Sequence, residues 1–152
     1  MDVEEQLQQF VEPFGIRLPA GVITQGKKAY LVPERVKKVA EQIDKEPFSL
    51  GLPLGEATNK RFRASFGLLD LLKDSKNKVV IKDDAVWLFT CGRDVFSKKV
   101  HSEDEPKKTF LVCDRRGDVL GLGTKDKGGM VKNILDRGDF LRREEKRKRR
   151  KR

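Results

Sequence analysis

The sequence predicts an α+β chain in two domains with a basic tail, residues 1–76, 77–145 and 146–152. Three observations carry this. Residues 1–72 interleave helical-period stretches with short strand-like runs. Residues 77–145 hold several short apolar runs, glycine turns and two small helices, the pattern of a small, partly open barrel. Between them Lys73-Asp-Ser-Lys-Asn-Lys78 is polar and contains turn formers, which sets the boundary near Asn77.

In chain order, Val3, Leu7, Phe10 and Val11 fall at helical spacing, with Asp2, Glu4 and Glu5 where the macrodipole favours acids, and Pro13 follows the end. Pro19, Gly21 and Gly26 punctuate the next stretch into short strands or loops around Ile16–Leu18 and Val22–Thr24, and Ala29–Val32 reads as a strand. Pro33 suits a first helical position, and Val36, Val39, Ala40 and Ile43 make one apolar face, so residues 33–43 are the clearest helix of the first half. Residues 48–55 read as an interrupted strand. Phe62, Phe66, Leu69 and Leu72 predict a buried helix over 62–72.

In the second half Val79–Ile81 is a buried strand, Asp84 is positioned to cap a helix over Ala85–Phe89, and Gly92 supplies a left-handed stop. Val95, Phe96 and Val100 suggest another strand. Thr109–Cys113 and Val119–Leu122 flank Asp114-Arg-Arg-Gly117, a hairpin signal. Val131, Ile134 and Leu135 mark a last helix ending before Gly138, and Phe140 and Leu141 begin a closing strand.

Charge points to the partner. The chain carries a net charge of +10, and its last seven residues, Lys146 through Arg152, read KRKRRKR. Adjacent cations repel, so such a run is stable when solvated or opposite a dense anion array, and a phosphate backbone supplies one through counterion release. A solubilising tail and a nuclear-localisation signal are the bland alternatives. Arg142 and Arg143 extend the basic character into folded chain, and Arg93, Lys98 and Lys99 could join them and Lys146 on one face. Alternation on a closing strand would send Arg142 and Arg143 to opposite sides. Asn59-Lys-Arg-Phe-Arg63 places three more cations before the predicted helix at 62–72, where positive charge is mildly unfavourable without a partner.

Catalytic chemistry is hard to place. The single histidine, His101, lies in a charged loop, and Cys91 and Cys113 are spaced unlike zinc ligands, so both read as small buried residues. The stretch Gly121–Gly129 alternates glycine and lysine but fails both GxGxxG and the Walker pattern. It reads as a strand end and surface loop whose Lys125 and Lys127 could contact RNA phosphates. Trp87 reads as core in preference to a base-stacking platform. With two cysteines and no basic n-region before an apolar stretch, neither secretion nor a disulfide framework is suggested, and no apolar run reaches membrane-spanning length. A reducing, cytoplasmic compartment and a monomer are expected, with no cofactor, metal or membrane.

VVIKDDAVWLFTCGRDVF, then FLVCDRRGDVLGLGTK and ILDRGDFLRR, resembles the PUA domain, a small pseudobarrel that binds RNA; Asp114-Arg-Arg-Gly-Asp-Val-Leu-Gly-Leu-Gly123 fits its hairpin pattern. AYLVPERVKKVAEQI and SLGLPLGEATNKRFRASFGLLDLL, running into KNKVVIK, look like the pre-PUA domain of the Nip-seven family of ribosome-biogenesis proteins. The resemblance spans nearly the whole chain, and the basic C-terminal stretch is closest to archaeal members. It implies an N-terminal pre-PUA α/β domain with an antiparallel sheet and packed helices, and a C-terminal PUA pseudobarrel. It also implies a non-enzymatic RNA-binding factor of large-subunit assembly and pre-rRNA processing, with rRNA or pre-rRNA and ribosome-assembly proteins as partners. If the protein is eukaryotic, a nuclear or nucleolar setting is implied. Carried over, the RNA contacts are Arg142, Arg143, Lys146 and Arg149. The alternatives are an accessory protein of tRNA or rRNA modification, and an adaptor whose tail docks on an acidic protein.

Overall fold

In the computed structural model, which describes residues 2–139 and 141–143, the chain divides into two compact units between Asp74 and Ser75. The first begins with a helix started by two acids. Asp2 accepts a hydrogen bond from the Glu5 amide at 2.8 Å, and the Glu5 carboxylate accepts one from the Asp2 amide at 3.1 Å. This capping box satisfies two otherwise orphaned donors. The helix, α1 (Val3–Val11), buries Leu7 and Val11, and a 3-10 turn over Glu12–Phe14 buries Phe14 behind it.

Four strands follow: β1 (Val22–Gln25), β2 (Lys28–Leu31), β3 (Leu52–Ala57) and β4 (Phe62–Ala64). Helix α2 (Glu34–Glu41) lies between β2 and β3, and α3 (Phe66–Leu71) follows β4. The strands form an antiparallel sheet in the order β1-β2-β3-β4, with Tyr30, Leu54, Phe62, Leu68 and Leu69 in the core. Two expectations change here. Ile16–Leu18 forms no strand. Residues 62–72 are not one helix, because Phe62 to Ala64 pair with β3 and the helix starts only after Ser65. The spacing of Phe62 and Phe66 suits either arrangement, and Gly55, opposite Ala64, lets the strands close to a distance that a Cβ would forbid. Helix α2 forms as expected but buries none of its residues: Val39 is 57% exposed and Ile43, just beyond it, 53%.

The second unit opens with residues 75–77, which belong to it because the buried Asn77 is tied into it. Its carboxamide donates to the Thr109 carbonyl at 2.8 Å and accepts from the Lys107 amide at 2.7 Å. Next come β5 (Lys78–Ile81), α4 (Asp83–Thr90), a 3-10 turn at Ser97–Lys99, β6 (Val100–Asp104), β7 (Phe110–Cys113), β8 (Val119–Lys125) and β9 (Val131–Asp136). The sheet order is β6-β5-β7-β8-β9, antiparallel except for the parallel pair β5–β7. Val79, Ile81, Ala85, Phe89, Phe110, Val112 and Val131 form its core.

Here too the sequence expectations need correcting. Lys82, not Asp84, occupies the N-cap of α4, and Asp83 and Asp84 sit in the first turn. Val95 forms only an isolated bridge to Val131, and His101 lies on strand β6, where it is exposed. The segment expected as a last helix is strand β9. Its short apolar set matches a strand as well as a helix, and pairing with β8 decides it, because Gly121 has no Cβ to strike the Leu135 carbonyl. In place of a closing strand at Phe140 and Leu141, residues 139 and 141–143 are helical. Phe140 lies outside the described residues, as do Lys146, Arg149 and the rest of the run 146–152.

Candidate nucleic-acid interface

Helix α4 stops where Gly92 takes the left-handed conformation, with φ at +84°. The Gly92 amide donates to the Phe89 carbonyl at 2.9 Å and the Arg93 amide to the Leu88 carbonyl at 3.1 Å, the paired bonds of a Schellman motif. This turn brings Arg93 to the surface. The following residues are stitched to β9: the Asp94 carboxylate accepts from the Asn133 amide at 2.8 Å and from the Lys132 ammonium, and Val95 exchanges two backbone bonds with Val131 at 2.8 Å each. The Lys132 hydrogen bond holds the Asp94 carboxyl below its ordinary range, and Asp94 in turn holds the Lys132 ammonium above its own.

Beyond Val95 the chain presents Phe96, 60% exposed, with the Lys98 ammonium 5.9 Å from its ring centroid. The turn joining β8 to β9 abuts the same place, since a Cβ on Gly129 would lie 3.5 Å from that of Ser97. Asp126 shapes this turn by accepting from the Gly128 and Met130 amides at 2.9 Å each, and Lys127 is exposed on it. Arg93 and Lys98 thus sit on two turns that follow one another in the chain and Lys127 on a third that meets the second at Ser97, and among the described residues none has a carboxylate partner.

The remaining sequence-derived cations have other commitments. Lys99 pairs with Asp84, whose carboxyl that contact lowers, and Lys125 pairs with Glu103. Arg143 reaches the Asp139 carboxylate at 2.7 Å on the same helical turn, not across a strand. Arg142 is built into the fold. Its Nη1 donates to the Thr90 carbonyl at 2.7 Å and to Asp136 Oδ1 at 2.9 Å, and its Nη2 donates to Asp136 Oδ2 at 2.7 Å. The Asp136 bond raises the guanidinium above its ordinary value. Gly92 and Gly138 make room for this, since a Cβ at either would crowd the Arg142 guanidinium. The candidate site therefore rests on Arg93, Lys98 and Lys127, and Arg142 instead holds the base of the C-terminal segment against the end of α4. Among the cations of residues 59–63, Arg63 pairs with Glu56 at 3.1 Å; Lys60 and Arg61 precede β4 and Arg63 lies on it, so the helix-dipole argument does not apply.

Two aromatic residues were missed or misplaced by the sequence reading. Trp87 is 70% exposed, not core, although the helical wheel contained the signal: with Ala85 and Phe89 inside, position 87 lies on the opposite side. Phe96 follows the buried Val95 and turns outward. Cys91 is exposed, whereas Cys113 is buried and its thiol is pushed up to about 11 by that burial. Among the described residues no three metal-ligating side chains converge, and no helix is long and apolar enough to cross a membrane.

Residues 77–145 match the family described as the UPF0113 PUA domain. A UPF0113 protein of Archaeoglobus fulgidus is 33% identical over 130 residues, covering 76% of this chain and 73% of that one. A solved structure of a conserved PUA domain protein from Thermoplasma acidophilum has the same fold, with a TM-score of 0.58 at 17% identity over 94% of this chain and 95% of that one. The mixed α+β architecture, the family match and the archaeal relative together place the chain in the UPF0113 family, with a PUA domain, a fold that commonly binds RNA, as its second unit.

Proposed function

We propose that this protein is a non-enzymatic, cytoplasmic RNA-binding factor that acts as a monomer in large-subunit ribosome assembly and pre-rRNA processing. The observation that carries the RNA reading is the set of uncompensated cations on adjoining turns, Arg93, Lys98 and Lys127, with Phe96 exposed among them. Phosphates of an unpaired rRNA segment would lie along these turns, with Arg143 as a further cation and Lys146 and Arg149 retained as contacts from the sequence likeness alone. Arg142 acts as the positioning residue. The assembly role rests on the likeness of the sequence to the Nip-seven family over both units. The first unit would hold an assembly protein along the uncovered stripe of α2, Val36, Val39 and Ile43, which has Arg35 and Lys37 on its flanks and so suits a helix with acidic borders.

Fluorescence anisotropy tests the RNA reading, using single-stranded uridine-rich RNA, other single-stranded RNAs and duplex DNA at two salt concentrations. If about five cations each meet a phosphate, log affinity should fall against log salt with a slope of about −3 to −4 on a single strand. The expected result is a preference for unpaired RNA that persists at the higher salt and weakens in Arg93→Ala/Lys98→Ala. Equal binding to every nucleic acid, lost together as salt rises, would reduce the protein to a generic polycation. Association with large-subunit precursors in cell extracts checks the assembly role, and its absence would leave an RNA-binding protein of another pathway.

A further inference from the structure

The only tryptophan of the chain, Trp87, stands 70% exposed on a helix whose other face is fully buried. Indole carries the largest apolar surface of any side chain and is normally mostly covered. The register of α4 leaves no choice, because Ala85 and Phe89 enter the core at 1% and 0% exposure and position 87 must then face outward. Within α4, Trp87 has no second large exposed apolar side chain beside it. Its neighbours one turn away on that side are Asp83, Asp84 and Cys91, all exposed. Each acid has a cation partner, Asp83 in Arg115 at 3.5 Å and Asp84 in Lys99, so they repel an approaching phosphate less than free carboxylates would.

Toward its other end the helix runs into cations. Cys91 lies about 6 Å along the axis from Trp87, and Gly92 and the exposed Arg93 follow directly. We propose that Trp87 is a stacking platform for one unpaired nucleobase, with the phosphate of an adjoining nucleotide at Arg93. This rests on the RNA-binding reading and adds to it a base-contacting position on the helix, separate from the turns that carry the uncompensated lysines. An aromatic face accepts any base, so the platform selects for single-strandedness, not for sequence.

Because Trp87 is the sole tryptophan, its intrinsic emission reports this one position. Full-length protein is titrated with a dye-labelled, unstructured single-stranded RNA of mixed sequence, with anisotropy of the dye and tryptophan emission followed in parallel. Emission should be quenched with the same midpoint as the anisotropy. Trp87→Ala should weaken binding roughly fivefold to a hundredfold, whereas Trp87→Phe, which keeps an aromatic face, should retain most of the affinity. Normal binding with unchanged emission and an unaffected Trp87→Ala would overturn the platform while leaving the RNA reading intact. Equal quenching by duplex RNA, whose bases are already stacked, would also overturn it. An emission maximum that moves to the blue with protein concentration alone would mean that a second copy covers Trp87. Absence of any anisotropy change would remove the RNA reading and the platform together.

Discussion

Replacing Arg142 with alanine should unfold the second unit far more effectively than it discharges it. The Asp136 side chain is 3% exposed and takes two of its hydrogen bonds from Arg142, at 2.9 and 2.7 Å. Without the guanidinium, Asp136 keeps, among the described residues, the Gly138 amide at 2.9 Å, and the Thr90 carbonyl at the end of α4 loses the Arg142 donor. Removing one member of a buried ion pair costs roughly 3–5 kcal/mol. Arg142 is 36% exposed, so water reaches part of the pair, and the expected loss falls to about 2–3 kcal/mol. The two units need not unfold together, so the assay is amide hydrogen exchange at β8 and β9, which reports the opening of the second unit alone. Exchange of the slowest amides there should accelerate by roughly 30- to 140-fold. In an Asp136→Asn background, where no buried charge awaits a partner, Arg142→Ala should cost much less. Acceleration below about threefold, or an undiminished cost in that background, would refute the keystone role.

Three further outcomes are expected. Gly121→Ala, which drives a methyl group into the Leu135 carbonyl, should lose about 1–3 kcal/mol in denaturant unfolding, whereas Gly128→Ala should be near neutral; equal effects would restore a loop-function explanation for these glycines. Asp94→Asn should lower stability at neutral pH by an amount that shrinks in acid. The folded carboxyl titrates below its ordinary value of 3.8, so its contribution is present above that value and lost as pH falls through the lower one. A difference that does not change with pH would rule out the Lys132 contact as its source. A thiol reagent at neutral pH should count one cysteine in the native protein, Cys91, and two in denaturant, because Cys113 is buried and its thiol is raised to about 11. Two fast thiols in the native state would contradict the packing of β7.

Local chemistry was legible wherever a few adjacent residues determine a shape. The Asp2/Glu5 pair starts α1, Gly92 stops α4, and Asp114 to Gly117 turns β7 into β8 with the Asp114 carboxylate accepting from the Arg116 and Asp118 amides at 2.9 Å. The apolar face of α2 was equally plain, yet periodicity says only that a helix has an apolar side, not that anything covers it. Of the candidate site, Arg93, Lys98 and Lys127 could be named from charge and position, but not told apart from Lys99, Lys125, Arg142 and Arg143. Whether a cation has a carboxylate partner depends on residues such as Asp84, Glu103 and Asp136 that lie up to tens of positions away.

By itself the sequence determined the mixed α+β class, the β7–β8 turn, the glycine stop of α4 and a strongly basic character at one end, since these depend on neighbours in the chain. The tertiary structure alone decided that Val131–Asp136 is a strand and not a helix, that Trp87 faces outward, and that Arg142 serves Asp136 and Thr90. Each of these is a choice between local arrangements of similar free energy, and the balance is tipped by a partner distant in sequence: a glycine that lets a strand approach, a core that admits one helix face, a buried carboxylate that needs a cation.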